Sequence, residues 1–297
     1  MPATPLRTFS FYLKIIAATT LVTVLSLIFL SAALMAIAVS IPLKFKICCE
    51  TPARFGASYE PVSFNTADGL RLSGWYISPS NNAVIILIHS YYADRRQTLP
   101  VAEMLHAQGY GLLMYDQRAS GESEGNTRSL GWRDIQDVSA AANWLVERQP
   151  DVKIGAYGCS MGAAIALAGS VALPSIHAVA LDAPSPLQWY ENLPQFSLRD
   201  PLSLPVLALY YPIVMLRAGS LPPTSTTQAI QDFGNHPILF ISTGQDTEFF
   251  RINTYFEAAS GPKDHWNIPD STHCAGPAAR PLEYQQHLLQ FFNSSLR

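Results

Sequence analysis

From Ile15 to Leu43 the chain carries no charged residue, and Lys14 and Lys44 close the apolar run at its two ends. Wound as a helix at 1.5 Å per residue, such a run is about 44 Å long, more than the roughly 30 Å hydrocarbon core of a bilayer. The pattern predicts a transmembrane helix over 15–43, preceded by an N-terminal tail at 1–14. The small residues between Ser31 and Ala38 are of the type found at signal cleavage sites. Signal peptides, however, have apolar regions of only about 7–15 residues, so an uncleaved anchor is expected. Its orientation is not specified, because Arg7 and Lys14 on one side face Lys44, Lys46 and Arg54 on the other. Cys48 and Cys49, just beyond the run, could accept an acyl chain; as two small apolar residues at a membrane boundary they need no such role.

After a linker at 44–60 the pattern shortens to runs of strand and helix length. Val62–Thr66 and Leu70–Ile77 alternate on either side of Asp68-Gly69, a hairpin dipeptide. Ala83–Ile88 is wholly apolar and rich in isoleucine, as expected of a strand buried on both faces of a parallel sheet. A helical stretch closes at Glu103–Gln108, then Gly111–Tyr115 reads as a strand, Trp132–Arg148 as a helix and Val152–Tyr157 as a strand. Further strands are expected at Ile176–Leu181, Ile238–Ser242 and His265–Ile268, with helices at Phe249–Ala259 and Leu282–Phe292. Alternation of strand and helix predicts an α/β fold with a mainly parallel sheet flanked by helices and ligands bound beyond the carboxyl ends of the strands. Between about 184 and 236 eight prolines, from Pro184 to Pro223, interrupt an apolar, aromatic sequence. Proline breaks regular elements, so short helices forming a lid are expected there. The uncharged stretch Leu204–Leu216 could line an acyl pocket, dip into an interface or simply pack on the body.

Composition adds limits. With 297 residues and 48% hydrophobic content the chain can fill one large α/β domain, placed at 61–297. Only 14% of residues are charged and the net charge is -3, so nucleic acid is not an expected partner. Of the four cysteines, Cys159 and Cys274 are read as small space-filling residues, and the redox compartment is not legible from them. No metal and no other cofactor is implied, since neither His/Cys spacing nor a carboxylate cluster supplies ligands. The oligomeric state is not legible.

The candidate chemistry lies in Gly158-Cys159-Ser160-Met161-Gly162, a G-x-S-x-G motif between an apolar strand and a run of small helix formers. A tight strand-to-helix turn lifts a serine hydroxyl clear of the sheet and sets it at a helix N-terminus, where developing negative charge is favoured. The plainer alternative is an ordinary turn with Ser160 as a helix cap. A serine is a poor nucleophile without a histidine to take its proton and a carboxylate to orient that histidine. His273 follows the last predicted strand and Asp246 the one before it, giving the chain order Ser160, Asp246, His273. Asp246 could instead cap the next helix, and His273 could be a solvated loop residue. Asp182 and Asp270 are rival acids. For an oxyanion, the N–H groups of Met161 and Tyr91 are the expected donors, while His89 is expected to brace its own loop.

At these residues a resemblance can be named. From about Pro61 onward the chain resembles an α/β-hydrolase of the membrane-anchored, serine-aminopeptidase-like or BEM46-like kind. The stretch from Asp116 to Gly125 resembles their D-x-R-G-x-G-x-S-x-G loop, with Ala119 in place of a glycine, and His89-Ser90 stands where His-Gly is usual. The resemblance implies hydrolysis of an ester, thioester or amide in a small-molecule, lipid or peptide substrate through an acyl-enzyme on Ser160. An inactive tethered scaffold or receptor with the same fold, and an acyltransferase, are the alternatives.

Overall fold

The computed structural model describes the backbone of residues 5–191 and 203–296; the side chains of residues 5–8, 203 and 246 lie outside the description. Residues 1–4 of the expected tail and 192–202 of the expected lid, with Pro194 and Pro201, are therefore outside the described residues.

The chain opens with one helix, α1 (Pro5–Ser40), of 36 residues. It begins within the stretch read as a tail and ends two residues before Pro42, in keeping with the bias against helical conformation in residues preceding proline. The segment expected as a linker is tied to the body. Its short strand β1 (Leu43–Lys44) pairs in parallel with a two-residue strand further on, at Ser120–Gly121. The hairpin follows as β2 (Glu60–Asn65) and β3 (Arg71–Ile77), then β4 (Ala83–Ile88), α2 (Leu99–His106), β5 (Gly111–Tyr115), β6 (Ser120–Gly121) and α3 (Ile135–Arg148). Next come β7 (Lys153–Cys159), α4 (Met161–Ser170), β8 (Ile176–Asp182), α5 (Ser203–Ala218) and α6 (Thr226–Asp232). The chain closes with β9 (Ile238–Thr243), α7 (Asp246–Ala258), β10 (Lys263–Ile268), α8 (Gly276–Ala279) and α9 (Pro281–Leu296).

Eight strands form one sheet in the order β10-β9-β8-β7-β4-β5-β3-β2, antiparallel at β2–β3 and β3–β5 and parallel elsewhere. The wholly apolar β4 lies inside the sheet, and all six of its residues are buried, as a strand covered on both faces must be. Alternate side chains of the central strands feed two cores. Val84, Ile86 and Ile88 meet α3 and α4 on one face, whereas Ile85 and Leu87 meet α2 and α9 on the other.

The loop between β5 and β6 is built around Asp116. Its carboxylate accepts the N–H groups of Arg95 and Glu122, each at 2.9 Å, and a Cβ on Gly121 would lie 2.2 Å from that carboxylate. Ala119 holds φ +57°, the left-handed conformation that a glycine adopts without steric cost. Arg118 in the same loop is buried against Asp137, at 2.6 Å, and reaches Asp68 at 2.9 Å. One network of charges thus links hairpin, loop and α3.

The segment expected as a lid differs from expectation in its described part. Instead of only short helices it contains the 16-residue α5, with Pro212 inside it. Its partner is α1: Ala32, Ala36 and Val39 are buried in a cluster with Tyr91, Trp132, Tyr210 and Val214. Ala32, Ala36 and Val39 recur at the three-to-four-residue spacing of one helix face. From Phe9 to Leu27 α1 is bare, with Phe9, Ile16 and Leu21 all more than half exposed, and Phe29 is exposed likewise.

Candidate active site

Ser160 stands between the end of β7 and the start of α4 with φ +56° and ψ -122°, a sparsely populated conformation for a residue with a side chain. Two glycines make the turn possible. A Cβ on Gly158 would approach Gly162 O to 2.2 Å, and one on Gly162 would approach His89 O to 2.4 Å. Backbone bonds fix the turn: Ser160 N–H donates to Asp182 O at 2.8 Å, and Ser160 O accepts from Ala163 and Ser185 N–H, both at 3.1 Å.

The hydroxyl projected by this turn meets His273. Ser160 Oγ lies 2.9 Å from His273 Nε2, and His273 Nδ1 lies 2.8 Å from Glu248 Oε2. With Nδ1 donating to the carboxylate, Nε2 is left to accept the serine O–H. His273 is partly exposed, at 39%, whereas Glu248 is 1% exposed. Burial alone would raise the Glu248 carboxyl, but hydrogen bonds from His273 and from Thr243 N–H hold it below its usual range.

Three separate elements therefore supply the hydrogen-bonded chain: the β7–α4 turn, the first turn of α7 and the loop after β10. The carboxylate in it is Glu248, not the expected Asp246. Asp246 opens α7, and its side chain lies outside the described residues. The helix starts three residues before the expected Phe249, immediately after Gln245. Glu248 is thereby third in the helix, a position from which a glutamate folds back toward the preceding strand end, and its Oε1 accepts Thr243 N–H at 2.5 Å. An acidic residue in the first turn of a helix after a strand was the available signal. The rival acids are engaged elsewhere. Asp182 accepts Tyr284 O–H at 2.7 Å, and Asp270 pairs with Arg280 at 2.9 Å on the surface.

Two further features have no counterpart in the sequence reading. Ser185 Oγ lies 3.1 Å from Ser160 Oγ. Cys159 and Cys274 form a disulfide with Cα atoms 6.0 Å apart, which corrects their reading as independent space-filling residues.

Met161 is the first residue of α4, so its N–H is among those a helix leaves without an intrahelical acceptor. Tyr91 follows the end of β4 near the same turn, and its hydroxyl donates to Val39 O at 2.9 Å and accepts Leu130 N–H at 3.1 Å. The Arg128 guanidinium covers its ring at 3.5 Å. His89 is spent within its loop, with Nδ1–H donating to Ser90 O at 2.7 Å and Nε2 accepting Gln117 N–H at 3.0 Å. Burial keeps its pKa below the usual value. Among the described residues no group of three or more His, Cys, Asp or Glu side chains could hold a metal ion.

The strand order, the glycine-flanked serine turn at the end of β7 and the serine–histidine–carboxylate alignment give the chain the α/β-hydrolase fold. Residues 68–201 match the family described as X-Pro dipeptidyl-peptidase (S15 family). An uncharacterized protein of Mycobacterium tuberculosis strain H37Rv is 29% identical over 220 residues, 71% of each chain. The thiohydrolase aneE of Aspergillus aculeatus is 32% identical over 117 residues, 37% of this chain and 36% of that one. Among solved structures, an esterase of Pyrococcus furiosus superposes with a TM-score of 0.70 at 24% identity, covering 86% of this chain and 99% of the esterase.

Proposed function

We propose that this protein is a membrane-anchored serine hydrolase that cleaves an ester, thioester or amide through an acyl-enzyme on Ser160. The observation that carries this reading is the unbroken hydrogen-bonded line from Ser160 Oγ through His273 to Glu248, at 2.9 and 2.8 Å. An inert scaffold has no need of such an alignment, or of a serine held at φ +56°.

In the reaction Ser160 Oγ bonds to the carbonyl carbon of the substrate as its proton passes to His273 Nε2. Glu248, hydrogen-bonded to Nδ1, stabilises the imidazolium. Met161 and Tyr91 N–H groups receive the oxyanion. The bond to the leaving group then breaks, the leaving group takes the proton from Nε2, and the acyl group remains on Ser160. Water, deprotonated by His273, attacks the acyl-enzyme, releasing the acid and returning the proton to Ser160.

Anchoring is supported by α1, which is long and apolar enough to cross a membrane. Cleavage within the small-residue stretch at 31–38 would strip Ala32 and Ala36, both fully buried, from the cluster they share with Trp132 and Tyr210. Retention of the helix preserves that packing.

Fluorophosphonate labelling tests the reading. The wild-type protein should be modified at Ser160, and a Ser160→Ala variant should not be. A folded wild-type protein that fails to react would remove the hydrolase assignment.

A further inference from the structure

Two cavities share Tyr211 as a lining residue. The inner one, of about 220 Å³, is lined by Met161, Ser185, Leu187, Trp132, Tyr210 and Tyr211, so it begins beside the Ser160 hydroxyl. The outer one, of about 390 Å³, is lined by Trp189, Leu204, Leu207, Tyr211, Pro212 and Met215 along α5. Tyr211 borders both, its ring stacked on Trp132. The outer cavity is walled by apolar and aromatic side chains and has the size of a ligand site, and none of its described lining residues is charged.

The same helix lies on α1 through Tyr210 and Val214. At 1.5 Å per residue α1 is about 54 Å long, so a bilayer core of roughly 30 Å takes up only about twenty of its residues. The exposed first part of the helix fits that span, and the part carrying Ala32, Ala36 and Val39 continues beyond it onto the lid. Leu204, Leu209, Leu216 and Leu221 are exposed on and just after α5, Leu216 at 83%. Apolar side chains grouped beside a membrane helix mark a surface suited to lipid.

We infer that the substrate is a long-chain acyl ester or thioester taken directly from the bilayer, its chain lying along α5 in the outer cavity and its carbonyl entering the inner cavity at Ser160. This inference rests on the hydrolase reading and specifies its substrate class. Membrane helix, lid helix and serine are then consecutive stations of one apolar route.

The test uses the full chain reconstituted in phosphatidylcholine vesicles, with p-nitrophenyl acetate and p-nitrophenyl dodecanoate as probes. Wild-type kcat/KM should be at least tenfold higher for dodecanoate. Leu207→Trp and Ala208→Trp, which fill the outer cavity, should each lower the dodecanoate-to-acetate ratio at least tenfold, with folding checked by circular dichroism. A wild-type preference for acetate, or an unchanged ratio in either folded variant, overturns the inference. Fluorophosphonate labelling of the same wild-type vesicles separates the two levels: labelled protein without a chain-length preference sinks the substrate class alone, and unlabelled protein sinks the hydrolase reading with it.

Discussion

Cys159, immediately before the nucleophile candidate, is bonded to Cys274, immediately after the base candidate, with Cα atoms 6.0 Å apart and a separation of 115 positions in sequence. The bond ties the strained turn after β7 to the loop after β10. It does so next to the one hydrogen bond, Ser160 to His273, that the proposed chemistry cannot lose. Loops of this length rank among those in which a disulfide removes most entropy from the unfolded chain.

Loss of this bond should therefore be felt in both stability and turnover. Cys274→Ser, or treatment with dithiothreitol, is expected to lower unfolding free energy by about 2–5 kcal/mol and to depress turnover through a loosened His273 loop. The check is maleimide reactivity of the native protein before and after reduction. Cys48 and Cys49, both exposed and free, should react throughout. If Cys159 and Cys274 also react in unfolded, unreduced protein, the bond is absent.

The identity of the acid is open to direct comparison of two variants. Glu248→Gln should lower kcat by about three to four orders of magnitude, the scale seen when a triad carboxylate is replaced by its amide. Asp246→Asn should stay within a few-fold of wild type, because the Nδ1 side of His273 is already occupied by Glu248. Equal losses in the two variants, or the larger loss at Asp246, would show that Glu248 is not the orienting group.

The contrast between these two residues shows what the residue pattern could and could not convey. Strands such as Ala83–Ile88 and Gly111–Tyr115 were legible to the residue, because burial on both faces demands uninterrupted apolar runs. That Ser160 and His273 follow the ends of β7 and β10 was legible, because strand ends are marked by the same apolar pattern. The proposed acid lies two positions beyond the expected one because its place depends on where α7 begins, and a helix start is set by backbone hydrogen bonding rather than by hydrophobic period. The packing of α1 on α5 was hidden for a different reason. Both segments are apolar nearly all round, so neither has a face that points to its partner. The disulfide joins residues far apart in the chain, and spacing alone carries no information on such a pairing.

Asp182 gives a pH-dependent prediction of definite sign. It ends β8 beneath the site, is 1% exposed, and accepts hydrogen bonds from Tyr284 at 2.7 Å and Tyr157 at 3.3 Å. Burial pushes its pKa from 3.8 up to about 6; the Tyr284 hydrogen bond opposes the shift and the charge of Glu248 adds to it. Between those two values the folded protein binds more protons here than the unfolded chain, so the slope of stability against pH is negative. The contribution is complete below the unfolded pKa and is lost as pH rises through about 6. A shift of about two units amounts to roughly 3 kcal/mol. Asp182→Asn keeps a carbonyl for Tyr284 and removes the titration. Urea unfolding followed from pH 4 to pH 7.5 should therefore show wild type losing about 3 kcal/mol more than the variant. Parallel curves would mean that Asp182 titrates alike in the folded and unfolded protein.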